Sequence, residues 1–422
     1  YRIEYTFGVE PLQQYLVKFP DGRLQALSVC WDTEEKKWFH LHPEEQIDHT
    51  DPLHWTAPQF NWNFMCAECH STGVKKNYDP DSDTYNTTFN EVNVSCESCH
   101  GPGSRHLDYL GGEELPNHGF LSELKGRGSW QPQTEDDPPR PAHPKLKTDQ
   151  IETCARCHSR RARLSEEYKH GEALGQTHSL AVLSEELYYP DGQIKDEVYV
   201  HGSFLQSKMY HAGVVCTDCH NPHTARLKAP GDALCLNCHL PSRYATPEHS
   251  HHQKVSCVDC HMAGKNYMVN DYRRDHSFRV PRPDVSAQTG SPNACNQCHK
   301  DKTVKWAQEA YLGWYGEPEP HFGTAFHKLQ KGDQSALSEV ASIALDESYP
   351  DIVRAGAVSL APLPELVPQA LIDQVKDGGR IVAPIGDDQG QELRVHTKRG
   401  KRLSMKRMGD CFFVPLIGKY GV

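Results

Sequence analysis

The chain has 422 residues, of which only 37% are hydrophobic, and carries 31 glycines and 29 prolines. That is a thin supply for a side-chain core of this size, so either much of the chain is loop or something other than side chains fills the interior. A formal net charge of −11 argues against nucleic-acid binding, and no run of about 18 apolar residues offers a membrane-spanning helix.

Residues 1–60 read as an antiparallel β-region. The runs RIEYTFGV, LQQYLVKF, LQALSVCW and KKWFHL are rich in β-branched and aromatic residues, and Pro20-Asp21-Gly22 makes a turn between the second and third. Cys30 falls in the third run and is expected to be a small buried apolar residue. The chain opens inside the first expected strand with neither an initiator Met nor a signal peptide, which reads as a mature or truncated form.

Residues 61–300 hold the dominant signal. Fourteen of the 16 cysteines fall in seven copies of Cys-x-x-Cys-His. The copies are Cys66-Cys69-His70, Cys96-Cys99-His100, Cys154-Cys157-His158, Cys216-Cys219-His220, Cys235-Cys238-His239, Cys257-Cys260-His261 and Cys295-Cys298-His299. Two thiols at this spacing reach the two vinyl groups on one edge of a haem and form thioethers. The next residue then lies under the iron as its proximal ligand. Zinc sites do not require histidine at that one position seven times, a thioredoxin-like site uses one cysteine pair, and a disulfide framework gives no reason for the histidines. The pattern predicts seven covalently attached haems c. It also predicts a periplasmic or extracellular protein, because thioether attachment takes place outside the bacterial cytoplasmic membrane.

Seven of the 26 histidines are proximal, and the surplus can supply sixth ligands. Expected distal ligands are His54, His106, His223 and His276, then His211 with Met209 beside it, and one of His251 and His252. A Met ligand would raise the potential relative to a His/His pair. His249, His321, His327 and His396 are set aside as non-ligands. The segment QPQTEDDPPRPAHP between motifs two and three is a loop. Asp79, Asp81 and Asp83 are spaced as a calcium loop begins, but Thr84 and Asn90 stand where its glycine and glutamate belong, so a solvated turn is expected rather than calcium. Arg160, Arg161 and Arg163 follow motif three as a basic cluster, suited to attracting anions or to pairing with haem propionates.

Beyond motif seven the texture changes. Residues 303–314 and 335–361 show helical periodicity, and 301–361 reads as one or two helical hairpins of the repeat-protein kind. Residues 362–422 form a small α/β tail without a haem motif, in which ALIDQVKDGGRIVAPIGDDQGQELRVHTKRG reads as helix, Gly-Gly turn, strand, loop and strand. The fold class expected is a multihaem cytochrome c: short helices and long loops around haems, behind a small antiparallel β-region.

These residues carry a resemblance. YTFGVEPLQQYLVKFPDGRLQALSVCWD, HWTAPQFNWNFMCAECHSTG, VSCESCHGPGSRH, GSFLQSKMYHAGVVCTDCHNPH and RRDHSFRVPRPD resemble a bacterial family of multihaem c-type cytochromes in which the haem region precedes a helical, TPR- or HEAT-like region. The resemblance covers residues 1–361 and implies an exported electron-transfer role with redox protein partners. Family members usually carry a further CxxCH segment upstream, so a longer form of the chain would hold an eighth haem. From about residue 362, PELVPQALIDQVKDGGRIVAPIG and CFFVPLIGKYG resemble the C-terminal end of protein-L-isoaspartate O-methyltransferase. That family binds its cofactor on a glycine-rich loop earlier in its chain, so the tail is expected to be inactive as a methyltransferase.

The expected function is electron transfer along closely spaced, mostly bis-His haems. One alternative is a multihaem oxidoreductase acting on a small nitrogen or sulfur compound at one open haem. It lacks the supporting signal of a CxxCK motif. A second is a homo-oligomer, the subunit of an extracellular haem filament with distal ligands donated between chains.

Overall fold

Alternating apolar positions at the amino end build an antiparallel sheet from strands β1 (Ile3–Phe7), β2 (Leu12–Lys18), β3 (Leu24–Ala26), β4 (Val29–Asp32) and β5 (Lys37–His40). β2 is its centre. One edge pairs with β1, Phe7 lying opposite Gln14. The other edge is shared, β3 taking Leu16–Lys18 and β4 taking Leu12 and Gln13. That division is why the run LQALSVCW, expected as a single strand, is two: the chain must step along β2 between Ala26 and Val29. Cys30 in β4 is fully buried, and burial pushes its thiol up to about 12. The Pro20-Asp21-Gly22 turn closes through a bond from the Gly22 N–H to the Phe19 carbonyl, with Gly22 at φ +85°.

The inner face of this sheet positions the first motif. Phe7, Leu16, Leu24 and Ala26 form one apolar cluster with Phe60, Trp62, Ala67 and Val74, and Ala67 lies inside the first Cys-x-x-Cys-His. Asn63 stitches the same junction. Its Oδ1 accepts from the Leu24 N–H at 2.6 Å, and its Nδ2 donates to Thr87 Oγ1 at 2.8 Å. Buried amides so satisfied fix the strand against the helical turn that follows.

The structure is a computed structural model and describes residues 1–135, 137–361, 375–387, 390–400 and 402–411. These fall into two units, Tyr1–His321 and Phe322–Val422. In the first, beyond the sheet, short helices alternate with two-stranded hairpins and loops. The expected calcium-like segment is a turn between Tyr78–Asp79 and Thr84–Tyr85. There the Asp79 carboxylate accepts from the Asp81 N–H and the Ser82 hydroxyl. The helix expected over 303–314 spans Val304–Tyr315, with the Thr303 hydroxyl capping the Trp306 N–H.

In the second unit, helices Phe322–Gln330, Leu337–Leu345 and Asp351–Leu360 bury Phe326, Val340, Ile343, Val353 and Ala357. The tail holds three antiparallel strands, Arg380–Asp387, Gly390–Arg399 and Arg402–Cys411. The sequence reading had two; the third is a polar alternating run that carries little apolar signal. The helix expected at ALIDQ lies outside the described residues. No helix among the described residues is long and apolar enough to cross a membrane.

Candidate haem-attachment array

Each Cys-x-x-Cys-His folds on or beside one helical turn, which brings positions i, i+3 and i+4 to one face. The helices are Ala67–His70, Cys96–His100, Gln150–His158, Cys216–Cys219, Ala233–Leu236, Cys257–His261 and Ala294–Cys298. The backbone N–H of His70, His239 and His299 bonds the carbonyl of the first cysteine of its own motif, at 3.1, 2.9 and 2.9 Å. Residues between the cysteines help to hold the turn. Asp218 accepts from the Val215 N–H at 2.8 Å, and Asp259 accepts from the Ser256 N–H at 3.1 Å. Asn293 caps the seventh motif by accepting from the Asn296 N–H.

The motifs are linked in space in a definite order. Motifs one and three meet where Cys69 Sγ lies 4.0 Å from the Arg156 carbonyl. Arg156 also reaches the Ser98 carbonyl of motif two at 3.5 Å. Motifs three and four meet through Gln150, whose Oε1 accepts from both the N–H and the hydroxyl of Thr217, at 3.2 and 2.9 Å. Four and five are close enough that the Cys219 thiol, pushed up to about 11 by burial first, also feels Cys235 and Cys238. Asp232, just before motif five, accepts from the Cys257 N–H of motif six at 2.9 Å. Gln297 of motif seven reaches the Gly264 carbonyl just beyond motif six at 3.4 Å.

Four motif histidines lie opposite a second imidazole. His100 and His223 have ring centres 6.2 Å apart and planes 9° from parallel, and His220 and His276 are 6.3 Å apart at 25°. His261 and His249 are 6.1 Å apart at 13°, and His299 and His252 are 6.0 Å apart at 46°. In three of the pairs one ring is oriented by a backbone carbonyl at Nδ1: His261 by Arg279 at 2.9 Å, His276 by Arg274 at 2.9 Å and His252 by Ser250 at 2.7 Å. An N–H placed there leaves the lone pair on Nε2, the arrangement a metal-bound imidazole adopts. Burial lowers the pKa of His70, His100, His158, His220, His239, His249 and His276, which favours the neutral ring that coordination needs.

The other expected ligands stand differently. His54 bonds Thr56 and lies beside Trp55, His211 lies edge-on to Tyr210 in the short helix that also holds Met209, and His251 stacks on Trp314 at 4.3 Å. His106 turns Nδ1 to the His118 carbonyl at 2.8 Å, with its ring against Phe120 at 4.3 Å. His70 lies edge-on to Phe7 and His239 edge-on to Tyr244. His249, set aside in the sequence, belongs to a pair. The available signal was its place in a His-rich run, HSHH, shortly before motif six. The basic cluster after motif three also has a partner: Arg161 and Arg163 flank Glu68 of motif one.

The arrangement fits its inferred cargo. Each motif supplies two sulfurs and one imidazole within five residues, and a metal–nitrogen bond of about 2 Å on each side sets two opposed imidazole centres about 6 Å apart.

Comparison with known proteins agrees in kind. Residues 29–101 match the family described as cytochrome c554 and c-prime, residues 209–243 match the doubled CXXCH motif, and residues 351–421 match protein-L-isoaspartate(D-aspartate) O-methyltransferase. In fold, the chain is similar to the outer cell wall cytochrome OcwA, with a TM-score of 0.50, 18% identity and 86% of each chain covered. Among curated proteins it is similar to the protein-L-isoaspartate O-methyltransferases of Methanocella arvoryzae and Halorhodospira halophila. The first is 41% identical over 75 residues, 18% of this chain, and the second 37% over 71 residues, 17% of this chain. The chain spans only 39% and 32% of the length of those two relatives. It thus resembles multihaem c-type cytochromes in its haem-motif region and isoaspartate methyltransferases in its last stretch.

Proposed function

We propose that this chain is an electron-transfer protein that holds seven haems c in a continuous array. The observation that carries the reading is the set of four opposed imidazole pairs with centres 6.0 to 6.3 Å apart. Each haem c, when bound, supplies a one-electron redox couple. The fourteen motif cysteines would form the thioethers, and His70, His100, His158, His220, His239, His261 and His299 would be the proximal ligands. His223, His276, His249 and His252 would be the distal ligands opposite His100, His220, His261 and His299.

The chain's own part in this is positional. It fixes the attachment helices against one another, orients imidazoles through backbone carbonyls and, by burying His70, His158, His220, His239 and His276, favours their neutral form. The linkage of motif one to three, two to three, and then three through seven in order supports a single connected path with a branch at motif three. The doubled CXXCH and cytochrome c554 matches support the class of protein. The likeness in fold to a cytochrome described as belonging to the outer cell wall supports an exported protein, periplasmic or extracellular, that exchanges electrons with redox protein partners.

The test combines two measurements on the purified protein. Pyridine haemochrome analysis should give seven haems c per chain. Electron paramagnetic resonance of the ferric protein should be dominated by low-spin signals. A high-spin signal that shifts with nitrite or hydroxylamine would instead favour the oxidoreductase reading.

A further inference from the structure

Glu68 lies between the two cysteines of motif one, and its side chain is only 10% exposed. Its carboxylate accepts from Arg161 Nη1 at 3.1 Å and pairs with His178 Nε2 at 3.0 Å, with Arg163 Nε at 3.8 Å. The two arginines sit on the strand Arg161–Arg163 that follows motif three. It pairs with His178–Leu180, so that Arg163 is opposite His178. Arg161 does more than neutralise Glu68. Its Nε donates to the Arg156 carbonyl inside motif three at 2.5 Å, and its Nη2 lies 3.6 Å from Cys69 Sγ of motif one. One guanidinium therefore touches a carbonyl of motif three, a sulfur of motif one and the carboxylate beside that sulfur. A planar fork with five donors can do this, and an ammonium cannot. His178 is fully buried and braced by the Thr177 hydroxyl at 2.9 Å.

We propose that Arg161 is a positioning residue that pins motif one to motif three and, by its charge beside Cys69, raises the reduction potential of the haem held by motif one. Glu68 is the opposing charge that holds the guanidinium in place and lowers the same potential. The inference rests on the electron-transfer reading and adds to it a residue that sets both the spacing and the energy of one step. A cation in a low-dielectric setting stabilises the reduced state of a neighbouring couple, and an anion stabilises the oxidised state.

The test uses the full-length haem-loaded protein and four variants: Arg161→Gln, Glu68→Gln, the double variant Glu68→Gln/Arg161→Gln, and Arg161→Lys. Spectroelectrochemical titration should show one component shifted down in Arg161→Gln and the same component shifted up in Glu68→Gln. In the double variant it should return close to its original position. Arg161→Lys keeps the charge but not the three-way contact, so it should leave that potential near the original while altering the magnetic coupling between neighbouring haems. Because a single neutralisation strands a buried partner, the double variant and Arg161→Lys carry the test if the single variants lose haem. Shifts of the same sign in both single variants, an unshifted potential in a single variant that retains its haems, a double variant displaced from the original potential, unaltered coupling in Arg161→Lys, or loss of haem from all four would overturn the proposal and leave the cluster a purely structural role. A parent protein without reversible haem reduction would overturn the electron-transfer reading itself, whatever the variants do.

Discussion

His249 faces His261 across 6.1 Å, with the two rings 13° from parallel, whereas His251, two residues further on, lies flat on Trp314 at 4.3 Å. The helix Pro247–Ser250 and a left-handed residue at its end make this difference: Thr246 caps the turn, and His251 at φ +54° reverses the chain. Adjacent histidines are thereby sent to different places, His249 toward motif six and His252 toward motif seven.

Replacing His249 with alanine should convert one low-spin haem to high-spin, and His251→Ala should leave the spin balance unchanged. Ferric electron paramagnetic resonance with the optical charge-transfer band reads both. An unchanged spectrum in His249→Ala would remove that residue from the ligand set.

The seven Cys-x-x-Cys-His motifs are legible in the sequence because the pattern is confined to five consecutive residues. His223 is singled out in the sequence by its place three residues after His220 and His276 by its place about a dozen residues from a motif, and the structure sets them opposite His100 and His220. His249 was not, because its direction depends on one backbone reversal that no periodicity records. The contact between Glu68 and Arg161 was also invisible: it joins residues 93 apart and needs the strand after motif three to fold back on the helix of motif one. In the β-region the turn at Asp21-Gly22 was readable from its residues. The break between β3 and β4 was not, since it is set by how β2 shares its edge.

The four opposed pairs make separate predictions for separate haems. His223→Ala, His276→Ala and His252→Ala should each add one high-spin haem, and a double variant such as His223→Ala/His249→Ala should add two. Sites this distinct are expected to act additively. Quantitation of the high-spin signal against total haem checks it. Fewer than two in the double variant would mean that one histidine serves elsewhere.

The tail should not methylate. The chain covers only 39% and 32% of the two methyltransferases it matches, and the described part of the tail holds the antiparallel strands Arg380–Asp387, Gly390–Arg399 and Arg402–Cys411. The glycine-rich loop by which that family holds S-adenosylmethionine has no counterpart in the sequence. Incubation of the purified chain with labelled S-adenosylmethionine and an isoaspartyl peptide should transfer no label, and removing residues 362–422 should leave the haem spectra unchanged. Label transfer above a heat-inactivated control would contradict this.

Gly22 brings the amino-terminal hairpin against the backbone of Tyr85. It sits at φ +85°, and a Cβ there would lie 1.9 Å from the Tyr85 carbonyl oxygen. Relief requires moving a backbone that also accepts strain poorly, because the Tyr85 N–H donates to the Asp21 carbonyl at 2.9 Å and closes the same contact from the other side. Gly22→Ala should therefore cost about 2–4 kcal/mol, combining left-handed strain with the clash. Gly231 is the control: it has φ +53° with nothing within 4 Å of a built Cβ, so Gly231→Ala meets only the conformational term, about 1 kcal/mol. Thermal unfolding followed by far-ultraviolet circular dichroism separates the two. Because Leu24 and Ala26 reach Trp62 and Ala67 through one apolar cluster, loosening the turn should also make motif one the first to lose its native haem environment on heating. Equal losses in the two variants would show that the close approach at Tyr85 does not constrain the hairpin.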